Sequence, residues 1–127
     1  MTSVYVAGAS KEAAEVASFI ERLEAQGIHI TYNWTRDVLS ATKPDNELSE
    51  AERARLAFVD LDAITRAEDF WLILPSNPSA GCWVELGAAL AQRRIIIVSG
   101  DWKRSIFTAL AVQRFDRHEE AWDWLCQ

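Results

Sequence analysis

Two carboxylates carry the clearest hint of chemistry in this chain. Glu85 lies in the run PSNPSAGCWVELGAA at 75–89, and Asp60 opens the segment DLDAI at 60–64. Glu85 is flanked by Trp83, Val84, Leu86 and Gly87, and an unpaired carboxylate in such apolar surroundings is costly unless something makes use of it. The strongly apolar stretch 69–74 (DFWLIL) stops at Pro75, a Gly/Pro/Ser loop follows, and a small-residue helix opens near Cys82. That order puts Glu85 close to the start of a helix at the carboxyl end of a parallel strand, where open α/β sheets bind ligands. Asp60 falls on a predicted helix, and among nineteen acidic residues its spacing alone does not pair it with Glu85. The plainer alternative is that Glu85 caps its helix and Asp60 solvates a surface.

The elements that must position these acids alternate between strand and helix patterns. The first strand is VYVA at 4–7, ended by Gly8; a helix follows with Ser10 as N-cap, Val16, Ile20 and Leu23 at helical spacing and Gly27 as its stop. IHITY at 28–32 alternates as a second strand, and 33–48, containing Pro44, reads as a long polar loop of the kind that serves as a lid. Ser49 with Glu52 forms a capping box opening a helix to Ala67, with Ala57, Leu61 and Ile64 on one stripe. Strands are expected at 70–74, at 95–98 (IIIV, β-branched and covered on both faces) and weakly at 113–115, with helices at 81–92, 105–111 and 118–125. Right-handed crossovers then give a single-domain, three-layer, doubly wound α/β fold of the flavodoxin-like or Rossmannoid kind, a five-stranded parallel sheet in the order 2-1-3-4-5. In that topology the loops after strands one, three and four converge, bringing glycines, hydroxyls and helix N-termini together as the parts of an anion site.

Composition narrows the classes. A chain of 127 residues is one domain. A net charge of -6 argues against tracking nucleic acid by phosphate neutralisation. No apolar run approaches the roughly 20 residues that span a membrane, and Lys11 and Glu12 interrupt the N-terminal apolar run, so no secretory leader is expected. The two cysteines, Cys82 and Cys126, lack metal-ligand spacing and point to a reducing cytoplasm, each as a small buried hydrophobe. No GxGxxG, GxxxxGK[ST] or GxSxG occurs, and His29 and His118 read as a strand residue and a helix-start residue. Six tryptophans are many for this length. Trp34, Trp83 and Trp102 fall in or beside predicted loops, where an aromatic can stack on a planar ligand. Trp122 and Trp124, two apart on a helix, cannot share a face, so one is expected in the core and the other at solvent or a partner subunit.

The run PSAGCWVELGAAL resembles the active-site segment of the nucleoside 2-deoxyribosyltransferase superfamily, in which a small loop leads into a helix beginning ELG. Asp60-Leu61-Asp62-Ala63-Ile64 resembles its DLxxI element, and Tyr5-Val6-Ala7-Gly8 its first strand and glycine turn. The resemblance implies that Glu85 is a nucleophile and that Asp60 acts at the base or as acid/base, with Asp62 as the substitute. Pro78, Ser79, Gly81 and Glu85 fit the PSxGxxxELG loop of the branch that hydrolyses deoxynucleoside 5'-monophosphates, which makes Ser79 a phosphate ligand by resemblance.

What this implies is cleavage of the N-glycosidic bond of a (deoxy)nucleoside or its 5'-monophosphate by hydrolysis or transfer to another base, with no metal and no cofactor. A carboxylate at the anomeric carbon can trap the positive charge left on the sugar, and a second acid protonates the leaving base. Tyr5, Gly8, Ser10, Trp34, Ser79, Gly81 and Trp102 are the expected substrate-binding residues, Ser10 and Ser79 toward phosphate and Trp34 or Trp102 against the base. A homodimer or larger homo-oligomer is also implied. Two alternatives from other classes remain at this stage: a module that senses a nucleotide without cleaving it, and a TIR-like NAD-cleaving enzyme, because fold alone does not fix function.

Overall fold

A computed structural model describes residues 2–77 and 79–127. Five parallel strands form one sheet in the order 2-1-3-4-5: β1 (Ser3–Ala7), β2 (His29–Ile30), β3 (Asp69–Ile73), β4 (Ile95–Ser99) and β5 (Gln113–Phe115). β1 and β3 pair from Val4 opposite Asp69 to Ala7 opposite Leu72, and β3 and β4 from Asp69 opposite Ile95 to Ile73 opposite Ser99. These central strands read as unbroken apolar runs because helices cover both their faces, and Val4–Ala7, Phe70–Ile73 and Ile96–Val98 are buried throughout.

The helices are α1 (Ala13–Ala25), α2 (Thr35–Ser40), α3 (Glu50–Arg66), α4 (Ala80–Ala91) and α5 (His118–Leu125). α1 and α5 are joined by the bidentate Arg22–Glu119 pair, with N···O distances of 3.0 and 2.8 Å, while α3 packs on α4. Phe19 of α1 meets Trp71 of β3 edge-on at 5.3 Å between ring centroids. Trp71 Nε1–H donates to Ser99 Oγ (2.9 Å), which lies 2.7 Å from His118 Nδ1, so the helix-start histidine ties α5 to the middle of the sheet.

Several local expectations change. Ser10 caps no helix: Ser10–Glu12 is a 3-10 turn and α1 starts three residues later. β2 keeps two residues rather than five, since it has a partner on one side only. The long loop contains α2, which packs on α1, and a further 3-10 turn at Asp45–Glu47. The capping residue of α3 is as expected, with Ser49 Oγ accepting from the Glu52 amide at 3.1 Å. Its buried face is not, for Ala63 and Ile64 are buried whereas Ala57 and Leu61 are exposed. The N-terminal half of α3 overhangs the carboxyl edge of the sheet, so its apolar stripe there faces a cavity instead of the core. Trp122 and Trp124 are both half-buried against the core, and Arg22 stacks 4.3 Å over the Trp122 ring. Neither is the fully exposed tryptophan expected at a partner interface.

Candidate active site

Glu85 sits in the second turn of α4, whose start is fixed by the small residues after Pro75. The Tyr5 hydroxyl, reaching across from β1, donates to Glu85 Oε2 at 2.7 Å. Both side chains are 80 positions apart in sequence, and the parallel pairing of β1 with β3 brings them together. Burial is the main influence that pushes the Glu85 carboxyl up to about 7, with the Asp60 charge adding to it and the Tyr5 hydrogen bond opposing. The phenol of Tyr5 is itself held well above its ordinary range, first by burial and then by the Glu85 charge, so it remains a donor.

Glu85 borders a cavity of about 280 Å³ at the carboxyl edge of the sheet. Gly8 and Ser10 reach it from the β1 loop, Trp34 from the start of α2, Asp60 from α3, and Ser79 and Gly81 from the entry to α4. Of the expected site residues, then, these and Glu85 share one space, with Tyr5 gripping Glu85 from beneath. Pro78 lies outside the described residues. Asp62 faces away and pairs with Arg66 at 3.0 Å, leaving Asp60 as the acid of that segment at the cavity. Burial, then the charges of Asp37 and Asp45, push the Asp60 carboxyl up to about 6.

The tryptophans divide differently from the expectation. Trp34 is buried and its indole N–H is spent on the Val6 carbonyl at 2.7 Å, so it is a fixed wall of the cavity. Trp102 lies away from this cavity, its N–H on Asp116 at 3.1 Å and its ring centroid 5.4 Å from Lys103 Nζ and 5.3 Å from Arg114 Cζ. Trp83 turns to the other side of α4, toward Leu90 and Phe107. Gly8 is required by packing: a Cβ there would stand 2.7 Å from Val16 Cγ2. Cys82 is buried, which raises its thiol pKa and leaves it inert.

Sequence reasoning missed Asp45, which also lines the cavity, and the acid pair around it. Asp37 accepts a short hydrogen bond from the Tyr32 hydroxyl, and that bond is the main reason the Tyr32 phenol is pushed up to about 12. Nothing in the spacing of the 33–48 segment marks these residues; the fold of α2 brings them beside Asp60. Among the described lining residues there is no lysine or arginine. The donors available to an anion are the Ser10 hydroxyl and the first-turn amides of α4, which no side chain caps, while the Ser79 hydroxyl donates to Cys82 Sγ at 3.4 Å and would have to turn from it. Among the described residues no group of three or more His, Cys, Asp or Glu could hold a metal ion, and no helix is long and apolar enough to cross a membrane.

No protein-family model matches the chain, nor does any curated protein. Solved structures do. The Clostridium botulinum CMP N-glycosidase BcmB superposes with a TM-score of 0.60 at 18% identity, covering 98% of this chain and 97% of its own. The solution structure of BlsM superposes with a TM-score of 0.67 at 22% identity, over 98% of this chain and 86% of that one. This chain shares the fold of both. At such identities the likeness speaks for the architecture, and the chemistry must be argued from the cavity.

Proposed function

We propose that this chain belongs with the nucleoside 2-deoxyribosyltransferase-like proteins and cleaves the N-glycosidic bond of a nucleoside or its 5'-monophosphate. The observation that carries the reading is the Glu85 carboxylate, held by the Tyr5 hydroxyl at 2.7 Å on the wall of a cavity that Asp60 also lines. One carboxylate oriented by a buried donor and a second carboxyl that can carry the proton are what this reaction needs. The same bond is cleaved by the structural neighbour BcmB, a CMP N-glycosidase.

In the first step an oxygen of Glu85 bonds to the anomeric carbon as the bond from that carbon to the base nitrogen breaks. The departing electron pair stays on the base, which takes its proton from the Asp60 carboxyl. Water then bonds to the anomeric carbon, the Glu85 ester bond breaks, and the water proton returns to Asp60. A second base in place of water makes the reaction a transfer. Tyr5 donates to the Glu85 carboxylate throughout and fixes which oxygen points into the cavity. Trp34 forms a rigid face against which a planar base can lie. A 5'-phosphate would be held by Ser10, Ser79 and the amides of Gly81 and its neighbours, with charge compensation from the α4 N-terminus alone.

The reading extends to a homo-oligomer. Val84 and Leu61 line the cavity yet are substantially exposed, and Phe58, one turn from Leu61, is 69% exposed. An apolar rim around a reaction site suits a second copy that covers it and keeps water out.

A direct test incubates the protein with a panel of nucleosides and their 5'-monophosphates and follows free base by chromatography. Release by the wild type that falls to background in Glu85→Ala supports the reading; no release from any panel member refutes it.

A further inference from the structure

On the side of α4 turned away from Glu85 lies a separate cavity of about 440 Å³. Its floor is α4, where Trp83, Gly87 and Leu90 follow one another at helical spacing with Leu86 beside them. Its opposite wall is a pair of 3-10 turns, Trp102–Arg104 and Ile106–Leu110, and the side chains it contributes are those of Arg104, Ser105 and Phe107. That wall is held in place: the buried Thr108 hydroxyl donates to the Ser105 carbonyl at 2.7 Å, and Arg114 Nη1 to the Ala109 carbonyl at 2.7 Å. The volume falls within the roughly 300–1,000 Å³ usual for small-molecule sites, and no described residue lines both this cavity and the one at Glu85.

The glycine in the floor keeps the space open. A Cβ at Gly87 would meet no heavy atom within 4 Å, so packing does not demand a glycine there, although glycine weakens a helix interior relative to alanine. Around this apolar floor the polar side chains have hydrogens to give. Arg104 spends Nε on Asp101 at 3.1 Å, and among the described residues its Nη groups meet no acceptor. Asp101 itself stays in solvent, 62% exposed, outside the lining. Ser105 Oγ accepts from the Phe107 amide at 3.1 Å, which leaves its hydroxyl hydrogen to donate. The half-buried Trp83 indole adds a third donor and no acceptor. No carboxylate is among the described lining residues. Three donors at an apolar floor select a ligand with a hydrocarbon body and an anionic acceptor at one end, and a guanidinium suits a carboxylate above other such groups.

We propose that this cavity is a second binding site, for a small apolar carboxylate whose hydrocarbon body lies over Gly87 between Trp83, Leu90 and Phe107 and whose carboxylate meets Arg104 and Ser105. The site stands apart from the glycosidase reading, since it uses neither Glu85 nor Asp60.

The experiment titrates the protein with naphthalene-1-acetate by calorimetry, with naphthalene-1-acetamide as the uncharged control. The expected result is one site per chain and a Kd at least about tenfold lower for the carboxylate than for the amide. Arg104→Gln should erase that preference. Gly87→Leu should abolish binding of both probes while melting no lower than wild type, since its Cβ has room. In proton–nitrogen NMR spectra the Trp83 indole resonance, assigned by its loss in Trp83→Phe, should shift as the carboxylate saturates, and CMP should not displace the probe. No saturable binding up to millimolar concentration, equal affinity for the amide, binding that survives Gly87→Leu, or displacement by CMP would each overturn the proposal. A wild type that takes up neither probe, and whose mass by light scattering is halved in Gly87→Leu, would assign the cavity to a second copy of the chain and overturn it as well.

Discussion

Replacing Glu85 by glutamine should stabilise the fold at alkaline pH, and the gain can be worked from the surroundings of the carboxyl. Its pKa is pushed up from 4.5 to about 7, chiefly by burial. A carboxyl whose pKa is raised on folding favours the folded state fully only below its unfolded value, and that contribution is lost as pH rises through the folded one. The window here is therefore pH 4.5 to about 7. Above it, the ionised Glu85 costs the fold about 3 kcal/mol relative to a group that does not ionise, at 1.36 kcal/mol per unit. Glutamine keeps an oxygen to accept from Tyr5 and carries no charge, so Glu85→Gln should unfold roughly 10 °C higher than wild type at pH 8 for a chain of this size. At pH 4.5 the difference should shrink to within about 0.5 kcal/mol, because the buried carboxyl is then protonated. Denaturant or thermal melts of both proteins across this range, read by far-UV circular dichroism, make the comparison, and titrating groups that do not interact with Glu85 cancel in it. A pH-independent difference, or a variant less stable than wild type at pH 8, would refute the claim that Glu85 is held in the fold against its own solvation. The test needs no substrate, and the expected exchange of activity for stability is what a functional carboxylate in an apolar setting implies.

Two further expectations concern the reaction and the assembly. Asp60 and Glu85 titrate as a pair near 6 and 7, and the productive form carries one proton, on Asp60, so kcat/KM should rise through about pH 6, peak near 6.5 and fall through about 7. Asp60→Asn should leave a rising limb alone, displaced below 7 because the charge that repels Glu85 is gone; a falling limb alone would make Glu85 the acid and reverse the assigned roles. Light scattering should give a mass at least twice the 14.3 kDa of one chain, and Phe58→Glu should return it to a monomer. A monomeric wild type would remove the partner from the account of the cavity rim.

Much of the architecture was legible because it rests on short-range patterns. Uninterrupted apolar runs at β1, β3 and β4, a serine able to cap α3, and Gly27 at φ +81 after α1 each declare an element locally. Crossover handedness then left few sheet orders to choose among, and 2-1-3-4-5 is the one found. Failures came where the partner of an element decides its form. β2 is short because it is an edge, and α2 arises in a polar stretch whose helical face is revealed only by α1 beneath it.

The site shows the same division. By itself the sequence determined that an acid stands at the start of α4 on the ligand-binding edge, because strand, glycine loop and small-residue helix are contiguous in the chain. It could not determine what that acid meets. Tyr5 and Glu85 are joined by parallel pairing of strands far apart in sequence, and Asp60 rather than Asp62 faces the cavity because α3 turns that side toward α4. Likewise the indole of Trp34 is a wall and Trp102 lies elsewhere, although both looked like loop aromatics. Desolvation, which raises both carboxyl pKa values, depends on every atom that excludes water from a point in space. That quantity belongs to the packed chain, so the residue types set what chemistry was available and the tertiary structure set which of them can perform it.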